Sequence, residues 1–407
     1  LAGGTMCPSY MASKHEKDTT RARANVLREF LTRSSRPNPF SHEEIYEVMD
    51  RCLSCKGCTA ECPSNVDMAA LKSEFLYHYY RQHGIPFRAR AMANIDRLNA
   101  LGAILPAFSN FFLTHSLGSR LSKKVLGVAP QRQLPALAPQ SLRRWFRRHR
   151  QQLHPGTATR GKVYFFADEF TNYQDTRVGI AALKLLSRLG YEVVMPRHAN
   201  SGRSYLSKGL LQTARKLATR NVETFGGLVS ASTPLIGIEP SAILSFRDEY
   251  PRLVPASSRE KARQLAPHVL MIDEFLAQEA EKGHITPSLF TQKAARVLLH
   301  GHCHQKALAS VEASRDILAL PEQYEVEVIP SGCCGMAGSF GYEKEHYALS
   351  MQIGELVLFP RLRQAAADTL IAAPGTSCRH QIADGCGRTA RHPVEILWEA
   401  LQHADTQ

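Results

Sequence analysis

The chain has 407 residues, 44% of them hydrophobic and 21% charged, which is enough apolar material for two or three ordinary cores and too much for a disordered protein. Its 50 Lys and Arg against 37 Asp and Glu give a formal charge of +13. Its ten cysteines are too few for a disulfide scaffold at this length but enough for metal sites. Nucleic acid is the first partner such basicity suggests, but residues 86–162 alone hold 14 Lys and Arg and one Asp, leaving 36 of each sign elsewhere. The basicity is one segment, and no nucleic-acid partner is expected. No run approaches ~18 uninterrupted apolar residues and no signal-peptide pattern opens the chain, so the expected location is cytoplasmic. The opening Leu-Ala-Gly-Gly-Thr-Met-Cys-Pro carries no helix-start signal and reads as part of something longer.

Ala24, Val26, Leu27, Phe30 and Leu31 fall at helical spacing between Arg21 and Thr32. Ser41 with Glu44 has the form of a capping box before Ile45, Val48 and Met49, predicting a second helix. Val66, Ala69, Leu71, Phe75, Leu76 and Tyr79 predict a third, which Gly84 and Pro86 close. Residues 1–85 therefore read as a small all-helical unit. Residues 86–160 read as a basic helical linker: Leu101, Ile104, Leu105, Phe108, Phe111, Phe112 and Leu113 lie on a helical period interrupted by Pro106, and Arg143–Arg150 surrounds Trp145 and Phe146 with charge. Two readings stand for this segment, a solvated or domain-packing helix pair and a surface resting on anionic lipid at the inner face of the plasma membrane.

Beyond residue 160, short β-rich runs alternate with amphipathic helices, the pattern of parallel α/β sheets. The pattern repeats once. Val163-Tyr-Phe-Phe matches Val297-Leu-Leu-His, and Tyr191-Glu-Val-Val-Met-Pro matches Tyr324-Glu-Val-Glu-Val-Ile-Pro. Asn200-Ser201-Gly202 sits where Cys333-Cys334-Gly335 sits, each before a long helix, and Ile236–Ala242 sits where Ile371–Cys378 sits. Two tandem α/β units are expected, 161–285 and 290–407. The fold class is thus mixed, a ferredoxin-like helical domain followed by two α/β repeats.

Cys52-Leu-Ser-Cys55-Lys-Gly-Cys58-Thr-Ala-Glu-Cys62-Pro63 is the bacterial ferredoxin run C-x2-C-x2-C-x3-C-P of a [4Fe–4S] cluster. Zinc sites instead usually pair two separate C-x2-C hooks. In two-cluster proteins the fourth cysteine of each run ligates the other cluster, so Cys7 is expected to complete the cluster of Cys52, Cys55 and Cys58. Cys62 is then expected to serve a second cluster whose other ligands lie upstream. A C-x3-C-P spacing ending at Cys7 would need a cysteine at position 3, where Gly3 stands.

The second constellation is Cys303, flanked by His302 and His304, with Cys333, Cys334 and Cys378. Each follows a predicted strand, so three loops would converge at the carboxyl edge of one sheet. Adjacent cysteines sharing one metal require a tight loop, for which Gly335, Gly338 and Gly341 supply backbone freedom. Iron–sulfur and zinc are both compatible with these ligands, and buried inert thiols are the bland reading. Cys386 has no partner pattern and reads as an ordinary thiol. No dinucleotide fingerprint, P-loop or nucleophile elbow appears.

Met6-Cys-Pro-Ser-Tyr10, Thr20-Arg-Ala-Arg-Ala24, the run at 52–63, Gly332-Cys-Cys-Gly-Met-Ala-Gly-Ser-Phe-Gly341 and Thr376-Ser-Cys-Arg-His-Gln-Ile382 together resemble a known family. It is the C-terminal iron–sulfur and cysteine-rich (CCG) part of bacterial FAD-linked D-2-hydroxyacid dehydrogenases, of the D-lactate or D-2-hydroxyglutarate type. The resemblance implies an upstream FAD domain that oxidises the hydroxyacid and sends electrons through the clusters to an acceptor, a quinone or an electron-transfer protein. This chain alone would then be unable to oxidise substrate. Related CCG regions occur in heterodisulfide reductases and in glycolate and glycerol-3-phosphate dehydrogenase subunits, and an iron–sulfur subunit of that kind is the alternative. A metal-stabilised docking module is the competing class. The sequence departs from the CCG pattern twice: Cys378-Arg-His-Gln381 replaces the usual final C-x2-C, and the first repeat carries Glu169, Asn200, Ser201 and Ala242 where cysteines are expected.

Overall fold

The computed structural model describes residues 6–153 and 160–402; Gly3 lies outside them, as do the end of the predicted linker at 154–159 and the last residues of the second repeat. Helices Thr20–Arg33, Glu43–Asp50 and Met68–His83 enclose a core of Leu27, Ile45, Met49, Met68, Phe75 and Leu76, with Cys52 and Cys58 in the same cluster. Thr19 and Asp67 cap the first and third, accepting from Ala22 N and Ala70 N at 3.0 Å each. The capping box expected at Ser41 and Glu44 does not form. His42 is the N-cap, without a side-chain cap bond, and Ser41 Oγ lies 2.8 Å from His83 Nε2 instead. A buried hydroxyl one residue short of the cap position finds its partner across the core.

Among its described residues the basic segment holds five helices, Phe87–Ala93, Ile95–Gly102, Pro106–Thr114, Ser116–Leu126 and Leu142–His149. Pro106 begins a helix rather than interrupting one, in the position where its missing N–H costs nothing. The segment's charge is also divided. Arg132 is fully buried, donating to Gly341 O at 2.7 Å and Ser350 Oγ at 2.8 Å, and pairing with Asp384 at 3.1 Å. Leu142, Trp145 and Phe146 join the core beneath the first sheet.

Strands β1 (Gly161–Phe166), β2 (Tyr191–Val194), β3 (Leu235–Gly237) and β4 (Val269–Met271) form a parallel sheet in the order β2-β1-β3-β4. β5 (Ala295–Leu299), β6 (Tyr324–Val328) and β7 (Leu370–Ala372) form a second, ordered β6-β5-β7. The fold is therefore mixed, a helical part followed by two parallel sheets. The second sheet repeats the first three strands, and the counterpart of β4 shrinks to a parallel bridge between Ala372 and Arg391. A helix follows in both, Ile272–Glu281 and Pro393–Ala400, and in each a glutamate at the third position accepts from the N-cap N–H at 2.9 Å, Glu274 from Met271 and Glu395 from His392. Helix Pro393–Ala400 packs on Thr176–Arg188 behind β1, while Ile272–Glu281 packs on Glu312–Leu318 behind β5. Each sheet's last helix thus covers the other sheet's first long helix, and Val394, Leu397 and Leu401 enter the first core.

The long helix expected after Cys334 is two helices, Tyr347–Glu355 and Leu358–Arg363. Pro360 cannot bond back to Leu356, and its ring would meet that residue's carbonyl in a continuous helix. Leu349 and Ile353 are buried, but Leu356 at the break is 40% exposed.

Removing the Arg132 side chain would leave Asp384 and two buried polar groups, Gly341 O and Ser350 Oγ, short of a partner. Arg132→Ala is expected to cost about 3–5 kcal/mol, read as a lowered urea midpoint with an unchanged slope.

Candidate iron–sulfur and thiol centres

The loop that carries the cysteine run turns tightly. Ser54 and Lys56 adopt left-handed backbone, with φ of 53° and 62°, and a one-turn helix, Gly57–Glu61, starts at once. Cys52, Cys55 and Cys58 are buried and unpaired by disulfide. The Thr20 hydroxyl lies 3.1 Å from Cys58 Sγ. Cys7 Sγ donates to Asp18 O and accepts from Arg23 Nη1, each at 2.9 Å. Burial pushes the Cys58 thiol up to about 11, with Cys52 and Cys7 among the charges it feels. Burial also raises Cys55, reinforced by Cys303, Cys52 and Cys58. Arg23, itself fully buried, faces both Cys52 and Cys7. Cys7 thus lies close enough to Cys58 to act on its charge and shares Arg23 with Cys52. Cys62 stands apart at the end of the short helix, where its sulfur accepts the backbone N–H groups of Val66, Ser64 and Asn65, which lower its pKa.

Two contacts clamp this loop to the rest of the chain. The Lys56 ammonium is buried against Glu249 at 3.0 Å, Asp67 at 3.6 Å and Asp248, and these carboxylates keep it charged against the burial that would lower it. His304 Nε2 lies 3.0 Å from Ser54 O.

Loops from the carboxyl ends of β5, β6 and β7 converge on the second constellation. Cys303 opens helix Cys303–Leu308, whose N-cap His302 accepts from His304 N through Nδ1 at 3.2 Å. Cys378 lies in the first turn of helix Thr376–Cys386. Between them, the Cys333–Cys334 loop turns at Gly335, where φ is +94° and a Cβ would sit 2.3 Å from Ser350 O; only glycine fits. All four thiols are buried and form a chain of contacts, Cys303 to Cys333 to Cys334 to Cys378. Cys303, which accepts from Cys333, is drawn down to about 7, and Cys334 is drawn down by Cys333 and Cys378, both of which are raised as donors.

His300 belongs to this cluster and was not singled out by its sequence position. A ring nitrogen of His300 and the Cys334 and Cys378 sulfurs lie within 4.8 Å of one another. Its Nδ1 is 2.7 Å from Ser331 Oγ, its Nε2 is buried with no hydrogen-bond partner, and burial lowers its pKa, favouring the neutral ring a metal needs. Its place just past the end of β5 was the available signal. His302 and His304, the pair the sequence favoured, are occupied with capping and with Ser54. Cys386 lies away from the cluster, 4.0 Å from Phe359 O.

The two thiol groups adjoin: Leu53, Cys55, Cys303, Cys333, Phe340, Leu349 and Ile353 form one buried cluster. At the matching edge of the first sheet, Glu169 accepts from Ser201 N at 3.0 Å and Ser201 Oγ at 2.7 Å. Asn200 donates to Asp96 at 3.0 Å, and Ala242 is buried. That edge satisfies its own polar groups and offers no thiolate.

Residues 4–67 match the 4Fe-4S dicluster domain family. The chain is 29% identical over 372 residues to a D-2-hydroxyglutarate dehydrogenase of Escherichia coli, a match covering 89% of this chain and 35% of that protein. The chain thus spans 35% of the length of the first curated relatives it matches. It is 26% identical over 337 residues to one subunit of the anaerobic glycerol-3-phosphate dehydrogenase of Escherichia coli, covering 77% of this chain and 80% of that subunit. It is 27% identical over 247 residues to the lactate utilization protein A of Bacillus subtilis, covering 58% and 98%. No solved structure matches. The resemblance read from the motifs is found by comparison: this is an iron–sulfur protein with a 4Fe-4S dicluster domain, related to D-2-hydroxyglutarate and glycerol-3-phosphate dehydrogenases.

Proposed function

We propose that the chain is the electron-transfer part of an FAD-linked D-2-hydroxyacid dehydrogenase, receiving electrons from a flavin domain and passing them to a downstream quinone or electron-transfer protein. The observation that carries this reading is the contact between the two buried thiol groups through Cys55 and Cys303. A [4Fe–4S] cluster, when bound, supplies one-electron chemistry. The residues that would hold it are Cys7, Cys52, Cys55 and Cys58, with Cys62 assigned to a second cluster shared with sequence outside this chain. Arg23 offsets thiolate charge at Cys7 and Cys52 without water, since it is buried. At the second centre the ligand set is Cys303, Cys333, Cys334 and Cys378, with His300 at its edge, and such soft donors suit iron–sulfur or zinc. Lys306 offsets their charge from a half-buried position, donating to Gly332 O at 3.0 Å.

This assignment divides the chain into a helical ferredoxin-like domain at 1–85, a linker at 86–160, a repeat without ligands at 161–285 and the ligand-bearing repeat at 290–407. The alternative, a separate iron–sulfur subunit, is favoured by one observation: the match covers 80% of the glycerol-3-phosphate dehydrogenase subunit. Dye reduction assays separate these from an independent enzyme. The chain alone is expected to give no D-2-hydroxyacid-dependent dye reduction and to accept electrons when the flavin partner is added; turnover by the chain alone overturns the reading.

Anaerobically purified protein is expected to be brown and to bleach with dithionite. Cys7→Ser should perturb the EPR signal of the cluster held by Cys52, Cys55 and Cys58, while Cys62→Ser leaves that signal in place. The opposite pattern would reject the crossed assignment. Replacing Cys333 and Cys334 together by Ser in the full chain should remove the metal of the second centre, measured by iron, sulfide and zinc analysis, and keep the first cluster's signal. Unchanged metal content would leave the second centre without a ligand role.

A further inference from the structure

Ten of the fifteen exposed large hydrophobic side chains among the described residues lie between Phe87 and Val125. Leu101, Ile104, Leu105, Phe108 and Leu117 are each 65% exposed or more, and helix Pro106–Thr114 buries none of its residues. Soluble surfaces rarely gather apolar side chains in this way without a partner.

The patch is rigid. Helices Pro106–Thr114 and Ser116–Leu126 form a hairpin so close at Gly118 that a Cβ there would lie 2.4 Å from Phe111 O. The hairpin's base is fixed to the body: Asp96 accepts from Tyr205 Oη at 2.8 Å and from Asn200 at 3.0 Å, and Val128 bridges to Glu343. These side chains are therefore presented outward by a built platform.

Its charge selects the occupant. Arg90, Arg97, Arg120 and Lys124 are exposed around the apolar face, and the one acid between residues 86 and 126, Asp96, is buried. Two copies of such a face would repel each other, and a hairpin with no exposed acid offers a mixed-charge protein surface little to pair with. No helix among the described residues is long and apolar enough to cross a membrane, and at ~1.5 Å per residue these short helices fall far below a bilayer's thickness. We propose that the hairpin of residues 95–126 docks the protein on an anionic lipid surface, with Leu101, Ile104, Leu105 and Phe108 entering the headgroup boundary and the basic side chains facing lipid phosphate. Apolar insertion beside basic residues is the physical pattern of interfacial helices. The platform stands beside the carboxyl edge of the first sheet through Asp96 and Asn200, so docking would bring the redox part of the chain to the membrane plane.

The test is co-sedimentation of the full chain with phosphatidylcholine vesicles, with and without about 30% phosphatidylglycerol. Anionic vesicles should bind at least about tenfold more strongly than neutral ones, and the difference should collapse in high salt, where the screening length falls to ~3 Å. Leu105→Asp/Phe108→Asp and, separately, Arg97→Glu/Arg120→Glu/Lys124→Glu should each lose that binding while keeping the parent's thermal midpoint, because all five side chains are exposed. Binding to neither vesicle, equal binding to both, or undiminished binding by both variants overturns the proposal. So does a stable dimer in sedimentation velocity that Leu105→Asp/Phe108→Asp dissolves, which would assign the face to a second copy.

Discussion

The arrangement of this protein depends on holding a short loop of closely spaced thiols in a dry position between three structural parts. Lys56 sits inside that loop and has its ammonium buried among Glu249, Asp248 and Asp67. A charge taken from water at such a site is stable only with several partners, and the loss of one leaves the others uncompensated. The same loop offers Ser54 O to His304, from the helix that begins with Cys303. The first sheet therefore grips the loop by charge and the second grips it by hydrogen bonding. Left-handed backbone at Ser54 and Lys56, which costs about 1–2 kcal/mol per residue, is held by these contacts.

The repeated sheets explain how one edge can carry chemistry while its counterpart does not. Parallel pairing and apolar strands such as Val163–Phe166 and Val297–Leu299 set the frame, whereas ligation depends on a few loop side chains. Glu169 and Ser201 bond to each other where Cys303 and Cys334 stand in the other copy. The first sheet also serves the second: Glu239, just past β3, accepts from Thr376 N at 2.8 Å at the start of the helix that bears Cys378, and Asp175 pairs with Arg379 of the same helix. Exchange of the terminal helices between the two cores makes the sheets one packed body, so the copy without thiols remains a structural support for the copy that has them.

The basic segment shows how a composition can mislead when it is read as one surface. Arg132 is spent inside on Gly341, Ser350 and Asp384, and the half-buried Arg143 is spent on Ala167 O and His198, each at 3.1 Å. What remains exposed is split between the apolar hairpin, with Arg90, Arg97, Arg120 and Lys124, and the last helix and its end, with Arg144, Arg147, Arg148 and Arg150. Burial divided a single run of charge into a structural strap and a surface.

The sequence by itself determined the features whose signals are local. Thiol spacing in Cys52–Cys62 is a property of one loop, helical periods marked Thr20–Arg33 and Met68–His83, and the two matching series of strands were legible because each is a short run rich in β-branched and aromatic residues. Glycine at 335 was legible for the same reason, since the turn it permits is made by its own backbone. Only the tertiary structure decided which partner won where a residue had two. Ser41 turned from the cap to His83, His302 and His304 were taken by capping and by Ser54, and His300 was left facing Cys334 and Cys378. It also decided that Cys55 meets Cys303 and that Lys56 meets Asp248. Those contacts join residues far apart along the chain, and no periodicity or spacing encodes them, because they arise from how separately formed elements pack and from which buried polar group is left without water.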